Sequence, residues 1–453
     1  MKSAKATQID LFSFATPQMR AFHMTWAAFF VCFFAWFAIA PLMPAIKGEF
    51  GFTKDQIANM NIAAVAVTIL VRLLIGPLCD KFGPRRAYTG LLALGALPVL
   101  GIAFAQTYEA FLFLRLCIGA IGASFVITQY HTSVMFAPNV VGTANAAAAG
   151  WGNAGGGATQ TLMPLILAAI LYFGADAAFG WRIALIVPGV LMLLMSVAYW
   201  RYTQDTPEGD LKDLRAQGKL PVIEKKGGWK NFKRAAGNYR VWLLFVTYAA
   251  CFGVEITIHN IAALYYTDRF QLDLKTAGLA AGSFGLLALF ARALGGIVSD
   301  RVAKTRGLDG RSKLLFALIV GEGVGLLLWA GSDSLALAIP MMLIFGLFTH
   351  MACGATYSLV PFIDRDALGG VAGIIGAGGN VGAVAAGFLM KGTVSIESGL
   401  HILGICVLVS AVAAIGVRFT AEHKAREAKL YEEALNERAA LARTTLSTPL
   451  ATA

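Results

Sequence analysis

Two arginines stand inside apolar stretches long enough to cross a membrane. Each opens the same spaced pattern: Arg72, Gly76, Asp80, Lys81, and then Arg292, Gly296, Asp300, Arg301. A guanidinium near mid-bilayer costs roughly 2.5–3.5 kcal/mol on insertion scales, so a matched pair calls for something negative that both can meet. The guanidinium is planar, stays charged and offers a fork of donors that fits two oxygens of a flat oxyanion; a lysine offers a point charge. Two forks reaching inward from opposite halves of a bundle could grip one small anion and release it when the halves rock apart. The pattern points to an anion carrier.

The elements that must position these side chains are helices. A chain of 453 residues that is 57% hydrophobic and 14% charged, with a mean hydropathy of +0.67, is too apolar for a soluble protein of this size. Apolar runs of about 20 residues, each able to span a core roughly 30 Å thick, recur along the chain. They predict an all-α integral membrane protein with about twelve spans at 22–46, 56–78, 86–105, 108–131, 143–173, 181–201, 240–266, 275–299, 313–331, 334–360, 367–391 and 399–420. The first is too long for a signal-peptide core, so no cleavage is expected.

The segment 202–239, with Pro207, Gly209, Gly218, Pro221, Gly227 and Gly228, divides the spans six and six. Mixed charge and helix breakers there suggest a linker rather than a folded domain. The expected organisation is a bundle over 1–201, the linker, a second bundle over 240–420, and a charged helix with a disordered tail over 421–453. Basic residues follow span two (Lys81, Arg85, Arg86), fill the linker and follow span eight (Arg301, Lys304, Arg306, Arg311, Lys313), whereas the alternate loops hold few. The positive-inside bias therefore predicts cytoplasmic termini and an inner or plasma membrane location. The net charge of +11 is scattered over these loops, which argues for topology and against nucleic acid as a partner. The six cysteines lie singly, with no metal-ligand spacing.

Arg72 lies in the second span of the first half and Arg292 in the second span of the second half, the mark of an internal repeat. A second repeat agrees: Gly152-Asn153-Ala154-Gly155 in the fifth span and Gly379-Asn380-Val381-Gly382 in the eleventh. Glycines at such spacing serve close helix packing. Gly152, Gly155, Gly156, Gly379 and Gly382 are therefore expected to let spans five and eleven slide against the opposite half. Asn153 and Asn380 carry amides that can donate to an anion without adding charge. Pairing of each arginine with a fixed acid is the alternative, disfavoured because few acids lie at comparable depth; Asp80 and Asp300, two turns on, suit the loop arginines better.

Gly76-Pro77-Leu78-Cys79-Asp80-Lys81-Phe82-Gly83-Pro84-Arg85-Arg86 resembles the G-x-L-x-D-[RK]-x-G-x-[RK]-[RK] loop of the major facilitator superfamily, and 295–301 resembles its weaker second copy. The glycine-rich stretches at 150–157 and 373–387 look like the paired signatures of the nitrate/nitrite porter family within it. The resemblance implies two pseudo-symmetric six-helix bundles, nitrate and nitrite as substrates, no cofactor, and function as a monomer. It implies that Arg72 and Arg292 hold the anion with Asn153 beside it, and that Phe125, Tyr248 and Phe252 pack around it. It gives Asp80, Arg85, Arg86, Asp300 and Arg301 a gating role.

Tyr248, Phe252, Glu255 and His259 fall at i, i+4, i+7 and i+11, so they share one helix face. Glu255, with His259, is the proton-coupling candidate; His131 and His350 read as helix-end or packing residues. Moving a monovalent anion into a negative interior costs about 2.3 kcal/mol per 100 mV, so uptake needs cotransported protons or an exchanged anion. Within the family that the chain resembles, an acid in this part of span seven looks more like the symport-type branch, with exchange as the alternative. A sensor built on a carrier fold lacks any signalling domain. A membrane enzyme lacks clustered acids, histidines or an activated nucleophile, and no G-x-x-x-x-G-K-[ST] supports an ATP-driven pump.

Overall fold

The computed structural model describes residues 5–136, 140–219, 228–364, 367–391 and 394–429. These are almost wholly helical: α1 (Pro17–Phe37), α2 (Met43–Phe50), α3 (Lys54–Phe82), α4 (Pro84–Gly101), α5 (Tyr108–Ile118), α6 (Ser124–Met135), α7 (Val141–Tyr172), α8 (Ala177–Tyr202), α9 (Leu211–Ala216) and α10 (Gly228–Ala236) come first. Then follow α11 (Tyr239–Phe270), α12 (Leu274–Leu286), α13 (Ala288–Ala330), α14 (Leu335–Leu359), α15 (Leu368–Leu389) and α16 (Ile396–Gly416). Among the described residues eleven helical segments are long and apolar enough to cross a membrane. The 29-residue α3, which carries Arg72, extends about 43 Å and is long enough to make a twelfth.

Caps set the span ends. Thr53 and Gln56 close a capping box on α3; Asp176 caps α8, Asp273 caps α12 and Ser395 caps α16, each satisfying backbone donors that a helix start leaves open. Spans eight and nine, predicted at 275–299 and 313–331, run together through α13, which bends at Gly307 with φ 56°. Span four is broken: a 3-10 turn over Gly119–Ala123 separates α5 from α6. Of the predicted linker, α9 and α10 are described and 220–227 are not; of the predicted 421–443 helix, 421–429 are helical and the rest lies outside the described residues.

Within the first half α1 packs on α7 and α4 on α8; within the second α11 packs on α15, and α13 on α14 and α16. Across the halves α7 meets α12 and α15 meets α3. The glycines explain these contacts, and they correct the expectation that all five slide on the opposite half. A Cβ on Gly152 would enter the Phe29 ring and one on Gly155 the Phe30 carbonyl, both on α1; on Gly379 and Gly382 it would meet Phe252 and the Ala249 carbonyl, both on α11. These four lock each helix to its own half, in matching fashion. Gly156 alone of the five faces the other half, where an added Cβ would lie 3.1 Å from the His259 ring. Gly155→Val is accordingly expected to force α7 off α1 at a cost of roughly 1–3 kcal/mol, read as a lower melting temperature in detergent; wild-type stability would contradict the contact.

Candidate functional site

The break in span four places the first arginine. Without the continuing helix, the Gly119 carbonyl accepts from Thr68 Oγ1 at 2.7 Å and the Gly122 carbonyl accepts from Arg72 Nε and Nη2 at 3.3 and 3.2 Å. Arg72 Nη1 donates across the halves to the Gly376 carbonyl on α15 at 3.3 Å. Its partners are thus neutral carbonyls, and among the described residues no carboxylate pairs with it.

Arg292 is different, and here the argument from depth fails. Its Nη2 donates to Glu255 Oε2 at 2.5 Å, with Arg292 9% and Glu255 1% exposed. Arg292 Nε has no partner. Both guanidiniums approach one ring: Arg292 Cζ lies 5.3 Å and Arg72 Cζ 6.0 Å from the centroid of Phe252. Phe125 lies 5.6 Å from Arg72 Cζ, and Tyr248 stacks on Phe252 at 5.1 Å. The predicted cage residues Phe125, Tyr248 and Phe252 therefore do gather around the arginines. Sequence reading missed Tyr357, which closes the set with its ring 5.0 Å from Tyr248 and 6.2 Å from Phe125.

Asn153 and Asn380 are both buried with an unpartnered Oδ1. Asn380 Nδ2 reaches the same Gly376 carbonyl that Arg72 uses, at 3.5 Å.

Behind Glu255 lies His350, which the sequence alone reads as a helix-end or packing residue. His350 Nδ1 sits 3.4 Å from Glu255 Oε2, and His350 Nε2 is 3.1 Å from the Phe284 carbonyl. A carbonyl only accepts, so Nε2 carries a hydrogen, and a neutral ring would then turn a lone pair on Nδ1 toward the carboxylate. Cys353 Sγ lies 3.6 Å from the same oxygen. His259 is 4.0 Å from Glu255 Oε1, packed against Phe37 of the other half at 4.9 Å.

The gating residues divide. The side chain of Asp80 lies outside those described. Arg85 pairs with Asp210 and donates through Nε to the Trp200 carbonyl at 2.9 Å; Asp300 accepts from Arg311 at 2.7 Å; Arg86 and Arg301 are exposed. Nearby Asp205 accepts from the backbone of Arg85 and Leu211, each at 2.9 Å, and burial pushes its carboxyl above the ordinary value against those two donors. The Arg85 and Asp300 contacts stay within one half. Besides the Arg72 contact to Gly376, the halves are joined toward the face opposite the 202–239 segment by Lys47 with Asp268 at 3.1 Å and by Arg115 Nη2 with Asn260 Oδ1 at 3.0 Å. Arg115, a third buried arginine in an apolar run, has no repeat counterpart in the motif and escaped notice for that reason.

Known proteins agree with this architecture. The family model described as Major Facilitator Superfamily matches residues 25–362 and 249–452. A high affinity nitrate transporter 2.5 of Arabidopsis thaliana is 42% identical over 403 residues, covering 88% of this chain and 80% of the relative. A nitrate/nitrite transporter of Nostoc punctiforme is 30% identical over 442 residues, covering 83% of this chain and 87% of the relative. Among solved structures, a bacterial homolog of the human lysosomal transporter Spinster, inward-facing and unoccupied, superposes with a TM-score of 0.70 at 14% identity, covering 88% and 97% of the two chains. With the arginine repeat and the paired bundles, these matches identify the chain as a multi-pass membrane transporter that belongs to the Major Facilitator Superfamily.

Proposed function

We propose that this chain carries nitrate, with nitrite as a second substrate, across an inner or plasma membrane by alternating access, as a monomer with cytoplasmic termini and driven by an inward proton gradient. The observation that carries the reading is the pair of guanidiniums that both lie within 6.0 Å of the Phe252 ring, one held by carbonyls of both halves and the other by Glu255. A flat trigonal anion offers each fork two oxygens, and the aromatic walls of Phe125, Tyr248 and Phe252 match its faces. The names of the relatives support the choice of anion.

Coupling follows from competition at Arg292. Glu255 neutralises that arginine. An arriving anion takes over the Arg292 donors, and the displaced carboxylate, buried in a low-dielectric interior without its counter-ion, is stabilised by a proton, with His350 and His259 on either side of it. Anion and proton then favour each other's binding, the thermodynamic requirement for symport.

The test is counterflow and uptake in proteoliposomes with nitrate, nitrite and the proton gradient varied separately. An inward proton gradient is expected to accumulate labelled nitrate with no internal nitrite. Uptake that requires internal nitrite and ignores the gradient would establish exchange instead.

A further inference from the structure

On the face opposite the 202–239 segment lies a second cavity, of about 290 Å³, between α3, α11 and α15. Its lining includes Lys47, Lys54, Asn61, Asn260, Asp268 and Glu397. Both acids are matched already: Asp268 by Lys47 at 3.1 Å and Glu397 by Arg269 at 3.5 Å. The ammonium of Lys54 is not: its Nζ is buried with no hydrogen-bond partner among the described residues.

Beside the cavity sits Arg115, 1% exposed. It donates to the Trp36 carbonyl at 3.1 Å, to Asn61 Oδ1 at 3.2 Å and to Asn260 Oδ1 at 3.0 Å. These acceptors are all neutral, so the buried positive charge stands without a carboxylate among the described residues, and its Nε has no partner. Because Arg115 takes the oxygen of each amide, the groups left to point elsewhere are the NH2 ends. Asn260 spends one of its amide hydrogens on the Ile256 carbonyl at 2.9 Å. What the wall offers is therefore donors and surplus positive charge: an ammonium, an amide NH2 and the field of a buried guanidinium.

The position gives this chemistry a purpose. Lys54 and Asn61 are two turns apart on α3, and Arg72 lies eleven residues beyond Asn61, about 16 Å along the same helix and three turns on, hence on nearly the same face. We propose that the cavity is a second anion-binding station, in which Lys54 and Asn61 hold a small inorganic oxyanion before it moves on to the Arg72 and Arg292 pair. The station rests on the reading of the chain as an anion carrier. The charge-assisted contact from Lys54 raises the local anion concentration at one membrane face only.

The experiment measures nitrate transport in right-side-out and everted membrane vesicles carrying the wild type, Lys54→Gln, Lys54→Arg and Asn61→Leu. Lys54→Gln is expected to raise the half-saturating nitrate concentration roughly three- to ten-fold for entry from the face opposite the 202–239 segment and leave it unchanged for entry from the other. Salt dependence of capture should flatten, Lys54→Arg should restore both, and Asn61→Leu should act on the same face. A half-saturating concentration unchanged on that face, or raised equally on both, would overturn the station while leaving the carrier reading intact. Wild-type vesicles that move no nitrate would overturn the carrier reading, and the station with it.

Discussion

Replacing Arg72 or Arg292 by lysine is expected to lower labelled nitrate uptake in proteoliposomes by roughly ten- to hundred-fold, although the charge is retained. Each exchange removes a fork and leaves a point donor, and a lost charge-assisted hydrogen bond is worth roughly 1.5–3 kcal/mol. The two positions should differ in how they fail. Arg72 uses three nitrogens on the Gly122 and Gly376 carbonyls, one in each half, so Arg72→Lys also removes a contact between the halves. Its maximal rate and half-saturating concentration should both move. Lysine at 292 retains an ion pair with Glu255, and its failure should appear first in anion affinity. Equal amounts of monodisperse protein establish that folding is intact; unchanged uptake by either variant would remove the double clamp.

The parts of this site that can be read from the sequence are those in which a residue violates its local surroundings. An arginine in an apolar run is conspicuous, and its repetition at Arg292 relates the two halves before any coordinate is seen. The aromatic positions of span seven follow from helical periodicity along one segment, and their neighbours agree: Tyr248 and Phe252 stack at 5.1 Å. Pairings between helices are another matter. Glu255 and Arg292 are 37 residues apart on different spans, and nothing in either local pattern selects the other. Reasoning from the scarcity of buried acids dismissed the one acid that does pair.

Tyr357 and the position of His350 escape for the same cause: both lie on α14, and nothing within that helix says which of its polar residues meets span seven. Arg115 shows the opposite limit. It meets the criterion that singled out Arg72, but a search for repeats discards a feature that occurs in one half alone. The glycines are legible as packing residues, but four of the five pack on their own half and Gly156 alone meets the opposite one. Small-residue spacing says that a helix is closely approached, and only the fold says by which one.

Glu255→Gln is expected to separate transport from its driving force. A one-unit inward pH gradient stores about 1.4 kcal/mol per proton, a ten-fold accumulation of nitrate for each proton coupled. Glutamine keeps the shape of the side chain and one acceptor oxygen for Arg292, so the site should still close around the anion. It has no carboxylate to leave Arg292 and take up a proton. Gradient-driven accumulation should therefore fall to near one-fold, while nitrate-for-nitrate counterflow at equal pH persists, with tighter anion binding because the competing carboxylate is gone. His350→Gln should weaken coupling less, since Glu255 would keep its arginine and lose only the imidazole 3.4 Å away. Accumulation by Glu255→Gln at the wild-type level would rule out this acid as the coupling group. Loss of counterflow together with accumulation would instead mean that Glu255 builds the anion site by orienting Arg292 and carries no proton.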